Sequence, residues 1–183
     1  KDKETVKQLT IDAAEYLFAQ GAKGLVGASN TATSAAVRAL REMYPDIPIV
    51  GIEPAVKPAA TLKPNCRVLV MATPMTLREE KFRLLMEKYE TKAQILPLPC
   101  PGLVEFVERG ELESEELEAF LRRLFVEYQE HPVDCVVLGC THYPFARDLI
   151  QEILGEDVVI FDGGEGTARE MKRRLEVAGL LNP

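Results

Sequence analysis

A cysteine that ends an apolar run and is followed two residues later by a histidine can move protons. Val136-Val137-Leu138-Gly139-Cys140-Thr141-His142-Tyr143-Pro144 has this form. The run predicts a buried strand, and Pro144 suits the first turn of a helix, where its missing N–H costs nothing. A thiol between the two lies near unpaired backbone donors and the positive end of the helix dipole. That setting favours thiolate relative to the usual pKa of about 8.5. His142 can hydrogen-bond a substrate or help a proton leave the sulfur. A buried cysteine that merely ends a strand is the plain alternative, and Thr141 and His142 in the same turn weigh against it.

A second turn follows the same plan. Leu25-Val26-Gly27-Ala28-Ser29-Asn30-Thr31 passes from an apolar run into a predicted helix. Asn30 and Thr31 offer hydrogen bonds and open a helix whose N–H groups can hold a carboxylate. Helix capping alone would also explain them. Aligned without a gap, Ser29 falls on Cys140, so the chain reads as two half-units, pseudo-symmetric lobes sharing a cleft.

The elements that must position these turns alternate. Strands are expected at 24–27, 47–52, 68–72, 93–96, 135–139 and 158–161. Helices are expected up to Gly21, then at 32–43, 77–89, 103–108, 114–129 and 145–154, and from 167 towards 178. Prolines 97, 99 and 101 force an extended connection, and Ser114 is the expected cap of the long acidic helix. This alternation predicts an α/β fold, with parallel-type sheets and helices on both faces. Sites in such sheets lie at the carboxyl ends of the strands. The expected lobes are 1–52 and 53–162, with 163–183 returning as a helix to the first.

Composition narrows the chemistry. A net charge of −7 over 183 residues argues against a nucleic-acid or anionic-membrane surface, which needs a basic face. It still admits a small anionic substrate held by backbone N–H groups. The four cysteines form no Cys-x-x-Cys pair, and His131 and His142 are too few for a zinc cage. Cys66 and Cys135 read as structural thiols, and scattered thiols suit a reducing compartment. With no cleavable leader and no apolar run of membrane length, the expected location is the cytoplasm. Gly163-Gly164-Glu165-Gly166 is a loose glycine cluster and not a phosphate loop. Glu53, followed by Pro54, reads as a capping or packing residue. The acidic stretch 111–118 reads as a solvated helix start.

Several segments resemble the glutamate racemases of the aspartate/glutamate racemase superfamily. Ala28-Ser29-Asn30-Thr31-Ala32-Thr33 is similar to that family's first cysteine motif, with serine in the cysteine's place. Gly51 to Ala59 resembles the segment between the two sites, and Leu138 to Pro144 matches the second cysteine motif throughout. Cys100 to Glu108 resembles a Cys-Pro segment whose glutamate accompanies the active-site histidine, and Asp162 to Glu165 is also similar. The resemblance implies racemisation of glutamate without a cofactor, by two bases on opposite faces of the α-carbon, supplying D-glutamate for peptidoglycan. Cys140 would be one base, with Ser29 at the position of the other. Asn30, Thr31, Thr141, His142, Thr73 and Thr76 would contact substrate, and Glu108 would pair with His142. No metal is implied; the partner is glutamate, and a homodimer is an open option.

Two departures bear on activity. Serine is a poor substitute for a thiol as proton carrier, because a hydroxyl is several pKa units less acidic. The family's opening Asp-Ser-Gly loop and its Pro-Tyr-Gly turn do not appear, and the family continues past the last helix here, so the sequence resembles an internal piece. The competing expectation is therefore a weak or inactive relative that binds an acidic amino acid or acts as a regulator. Aspartate racemase shares the two-cysteine logic, but the Gly139 to Pro144 form and Glu53-Pro54 favour glutamate.

Overall fold

A computed structural model describes residues 2–182. In chain order the elements begin with α1 (Lys3–Ala19), β1 (Leu25–Gly27), α2 (Asn30–Met43), β2 (Ile49–Gly51), α3 (Val56–Ala60) and β3 (Cys66–Ala72). There follow α4 (Pro74–Arg78), α5 (Glu80–Glu87), β4 (Ala93–Pro99), α6 (Leu103–Glu108), α7 (Glu115–Leu124) and α8 (Val126–Glu130). The last are β5 (Cys135–Leu138), a 3-10 turn (Tyr143–Ala146), α9 (Arg147–Leu154), β6 (Val159–Asp162) and α10 (Gly164–Val177). The described residues divide into two compact units, 2–53 with 163–182, and Pro54–Asp162. Parallel sheets with alternating helices make it the α/β fold expected from the strand and helix pattern.

In the first unit β1 and β2 pair in parallel, with Leu25 opposite Ile49 and Gly27 opposite Gly51. Ile11 and Ala14 of α1 and Ala36, Val37 and Leu40 of α2 bury against Leu25 and Ile49. These helical residues recur at three- and four-residue spacing, which builds one apolar face per helix. Asp2 caps α1 by accepting from Thr5 N–H at 2.9 Å. Arg174 of α10 donates to the Ile49 carbonyl at 3.3 Å.

The second unit is a four-stranded parallel sheet in the order β4-β3-β5-β6. Its two central strands carry continuous apolar runs because both faces are covered. Leu69, Met71, Val136 and Leu138 point into one core with Leu103, Leu117, Phe125, Tyr143 and Ile150. Val68, Val70, Cys135 and Val137 point into the other with Val56, Ala59, Phe82 and Tyr89. β4 runs on through Pro97 and Pro99, which its edge position tolerates because a proline there need not donate to a neighbour.

Several boundaries differ from the expected ones. The helix expected over 77–89 starts at Pro74 and breaks at Glu79, whose extended backbone (φ −70°, ψ 128°) separates α4 from α5. The helix over 114–129 is capped by Ser114, as expected, but breaks at Phe125, a fully buried side chain. Core packing of that ring wins over helix continuation. The helix expected from Phe145 opens as a 3-10 turn, and α10 starts at Gly164 rather than Thr167. Among the described residues no helix is long and apolar enough to cross a membrane.

Three buried ionisable groups make the fold sensitive to alkali. Burial pushes the Cys100 thiol from its ordinary 9.0 to about 12 and raises the Cys135 thiol and the Tyr143 phenol. Above the ordinary thiol value the unfolded chain releases protons that the native state retains, so stability falls as pH rises. The contribution is complete below about pH 9 and is lost as pH climbs through 12. For Cys100 alone, moving a pKa from 9.0 to about 12 is worth about 4 kcal/mol. Urea unfolding at pH 7, 9 and 10.5 should show a midpoint that drops only in the upper interval; a midpoint flat to pH 11 would contradict this.

Candidate functional site

Gly139 lets the chain leave β5 and begin the Cys140 turn. Its N–H donates to the Met71 carbonyl at 2.8 Å, and a Cβ there would lie 2.4 Å from that oxygen. Any other residue would lift the turn off β3. Beyond it, the Cys140 sulfur, half-buried, stands 3.6 Å from His142 Nδ1. His142 Nε2 lies 2.5 Å from the Glu108 carboxylate. An imidazole carrying its proton on Nε2 satisfies both contacts, accepting from the thiol and donating to the carboxylate.

Glu108 is 34 residues from His142, and the path that joins them is visible. At the exit of β4, Cys100 N–H donates to the Ala72 carbonyl at 3.0 Å. Gly102 then takes a left-handed conformation (φ 95°) that turns the chain into α6. Leu103 buries in the core, and Phe106 packs on Phe120 with ring centroids 5.5 Å apart. Glu108, last in α6, is thereby carried to the histidine. Tyr143, fully buried, donates to the Cys100 carbonyl at 3.5 Å and ties the two turns together. Sequence reasoning assigned no role to Tyr143 or to Cys100; both are buried, and the contact between their turns joins residues 43 apart in the chain.

The expected preference for thiolate at Cys140 is not met in the free protein. Burial raises its pKa, and the backbone N–H groups of His142, Tyr143 and Thr141 offset only part of that rise. Desolvation wins over the turn's donors. The thiol is therefore predominantly protonated at neutral pH, with His142 beside it to accept the proton.

Thr73 and Thr76 follow β3, whose Met71 is level with Leu138 of β5. Thr73 caps α4, accepting from Thr76 N–H at 3.1 Å, and the two hydroxyls lie 2.9 Å apart. Thr76 is buried, so its hydroxyl serves this cap, while Thr73 is partly exposed. Thr141 is partly exposed within the Cys140 turn.

In the first unit, Ser29 is the exposed cap of α2, its hydroxyl accepting from Ala32 N–H at 3.4 Å. Asn30 and Thr31 form the first turn of that helix. The unit thus brings Ser29, Asn30 and Thr31 together, as the second unit brings Cys140, Thr141, His142 and Glu108. Among the described residues no group of three or more His, Cys, Asp or Glu side chains could hold a metal ion.

Residues 1–171 match the model of the family described as Asp/Glu/Hydantoin racemase. Along 176 residues the chain is 54% identical to a glutamate racemase of Clostridium perfringens, covering 96% of this chain and 68% of that one. It is 49% identical to a glutamate racemase of Clostridium acetobutylicum over 182 residues, covering 100% and 71%. The fold superimposes with a TM-score of 0.85, at 27% identity, on the Escherichia coli glutamate racemase solved with L-glutamate and an activator, UDP-MurNAc-ala. That superposition covers 100% of this chain and 68% of the other.

Proposed function

We propose that this chain, which belongs to the Asp/Glu/hydantoin racemase family, is a cytoplasmic glutamate racemase that works without a cofactor towards D-glutamate for peptidoglycan, with its turnover impaired by Ser29. The observation that carries this reading is the relay from Cys140 through His142 to Glu108, in a chain similar over its length to glutamate racemases. That similarity favours an enzyme over the binding-only alternative.

The α-hydrogen of an amino acid is a very weak acid, so its removal needs a strong local base and a site that holds the developing charge. Cys140 acts as that base after yielding its own proton to His142, whose imidazolium Glu108 then stabilises. The backbone N–H groups of His142, Tyr143 and Thr141 favour charge on the sulfur, and they are in place before substrate arrives. Asn30, Thr31, Thr141 and Thr73 bind the amino acid, and Thr76 holds Thr73 in place. Ser29 occupies the position of the second acid. Its hydroxyl donates a hydrogen bond but exchanges a proton with carbon poorly.

The test is ¹H NMR of each glutamate enantiomer in D2O with the protein. We expect loss of the α-proton signal from one enantiomer, with little accumulation of the other. Equal fast exchange into both would refute a disabled Ser29 face; aspartate exchanging faster than glutamate would refute the substrate.

A further inference from the structure

Among the described residues, and apart from tyrosines and cysteines, Thr33 and Thr76 are the two buried polar side chains. Thr76 serves a cap, but Thr33 does something else. Its side chain fills space that two glycines leave at matched positions on β1 and β2, Gly27 opposite Gly51. A Cβ on Gly51 would lie 2.3 Å from Thr33 Cγ2 and 2.9 Å from its Oγ1; one on Gly27 would lie 3.2 Å from that Oγ1. The Thr33 hydroxyl donates to the Gly27 carbonyl at 3.0 Å, and its N–H donates to the Ser29 carbonyl at 2.8 Å. One residue thus grips both the entrance of the turn and its centre.

We propose that Thr33 is the positioning residue of the Ser29-Asn30-Thr31 turn, fixing where those side chains and the first N–H groups of α2 point. This rests on reading the turn as part of the substrate site. The grip is separable from folding. The Gly27 carbonyl also accepts from Ile52 N–H at 2.9 Å, so Thr33→Val leaves no buried acceptor without a partner. Valine keeps the shape and loses only the hydroxyl; Thr33→Ser keeps the hydroxyl and loses a methyl.

Position 29 itself supplies a readout independent of turnover. In a Ser29→Cys, Cys140→Ala chain the introduced thiol is exposed, while the three remaining thiols are buried. Its reaction with iodoacetamide as a function of pH reports how the start of α2 addresses it, because helix N-termini lower thiol pKa values. We expect Thr33→Val to move that profile to higher pH and slow alkylation at pH 7 by roughly threefold or more, with Thr33→Ser returning it. In the Ser29→Cys chain with Cys140 intact, the same Thr33→Val change should lower kcat for glutamate by about tenfold, since small misplacements of reacting groups are costly. An unchanged alkylation profile in Thr33→Val overturns the proposal whatever the melting temperature does. An equal shift in both variants also overturns it, since that marks a packing effect. A profile that moves with Thr33→Val and returns with Thr33→Ser, in a chain where Ser29→Cys turns over no glutamate, supports positioning and refutes the racemase reading.

Discussion

Ser29→Cys should raise the rate of glutamate racemisation by about a thousandfold or more. A hydroxyl is several pKa units less acidic than a thiol, and each unit of mismatch in a proton transfer is worth about 1.4 kcal/mol, a factor of ten. Three such units already give the figure. The opposing cost is small: Ser29 caps α2 through its hydroxyl, and losing a cap costs about 1 kcal/mol. That weakens the first turn without unfolding a 14-residue helix. Circular dichroism of L- and D-glutamate incubated with parent and variant reads the effect directly. Identical rates in the two chains would show that Ser29 is not the missing base.

Cys140→Ala should abolish α-proton exchange into either enantiomer, a loss of about a thousandfold or more. Here the single thiol of the relay is removed, and His142 and Glu108 remain with nothing to act through. Removing one member of a base pair of this kind typically costs orders of magnitude. The sulfur is only half-buried, so the truncation leaves little cavity and should cost about 1–2 kcal/mol of stability. The fold therefore survives for the measurement. Cys140→Ser gives the same outcome for the reason argued at Ser29. Exchange in D2O persisting at the parental rate would remove Cys140 from the mechanism.

Much of this arrangement was legible in the residues, for stated reasons. The apolar run 135–138, closed by glycine and cysteine and followed by Pro144, announces a buried strand and a turn, and both are present. Continuous apolar runs at 68–72 and 135–138 mark the covered centre of a parallel sheet, and β3 and β5 are its central strands. What the sequence withheld depends on contacts between distant residues. The break at Phe125 follows from where its ring fits the core, which no helical period records. The local pattern around Cys140 displays the turn's donors, which favour thiolate, but not the cover above the sulfur, which opposes it and wins. Glu108 carries no local signal of its own beyond the family resemblance; α6 ends beside His142 because of the left-handed Gly102 and the buried Leu103. Thr33 carries no signal until the register of β1 on β2 sets Gly27 opposite Gly51.

The first unit is discontinuous in the chain, and this orders its assembly. A ribosome delivers about 5–20 residues each second, so residues 2–53 are out well before α10. Met171 and Leu175 of α10 lie against Gly24, and Arg174 reaches the Ile49 carbonyl. Until those side chains emerge, this side of β1 and β2 lacks its cover. The intervening unit, 54–162, is complete in sequence before that happens and can fold without waiting. Nascent chains should therefore acquire the Cys140 turn first and the Ser29 turn last. The interval between them is when the short β1–β2 pair is open to the wrong partner.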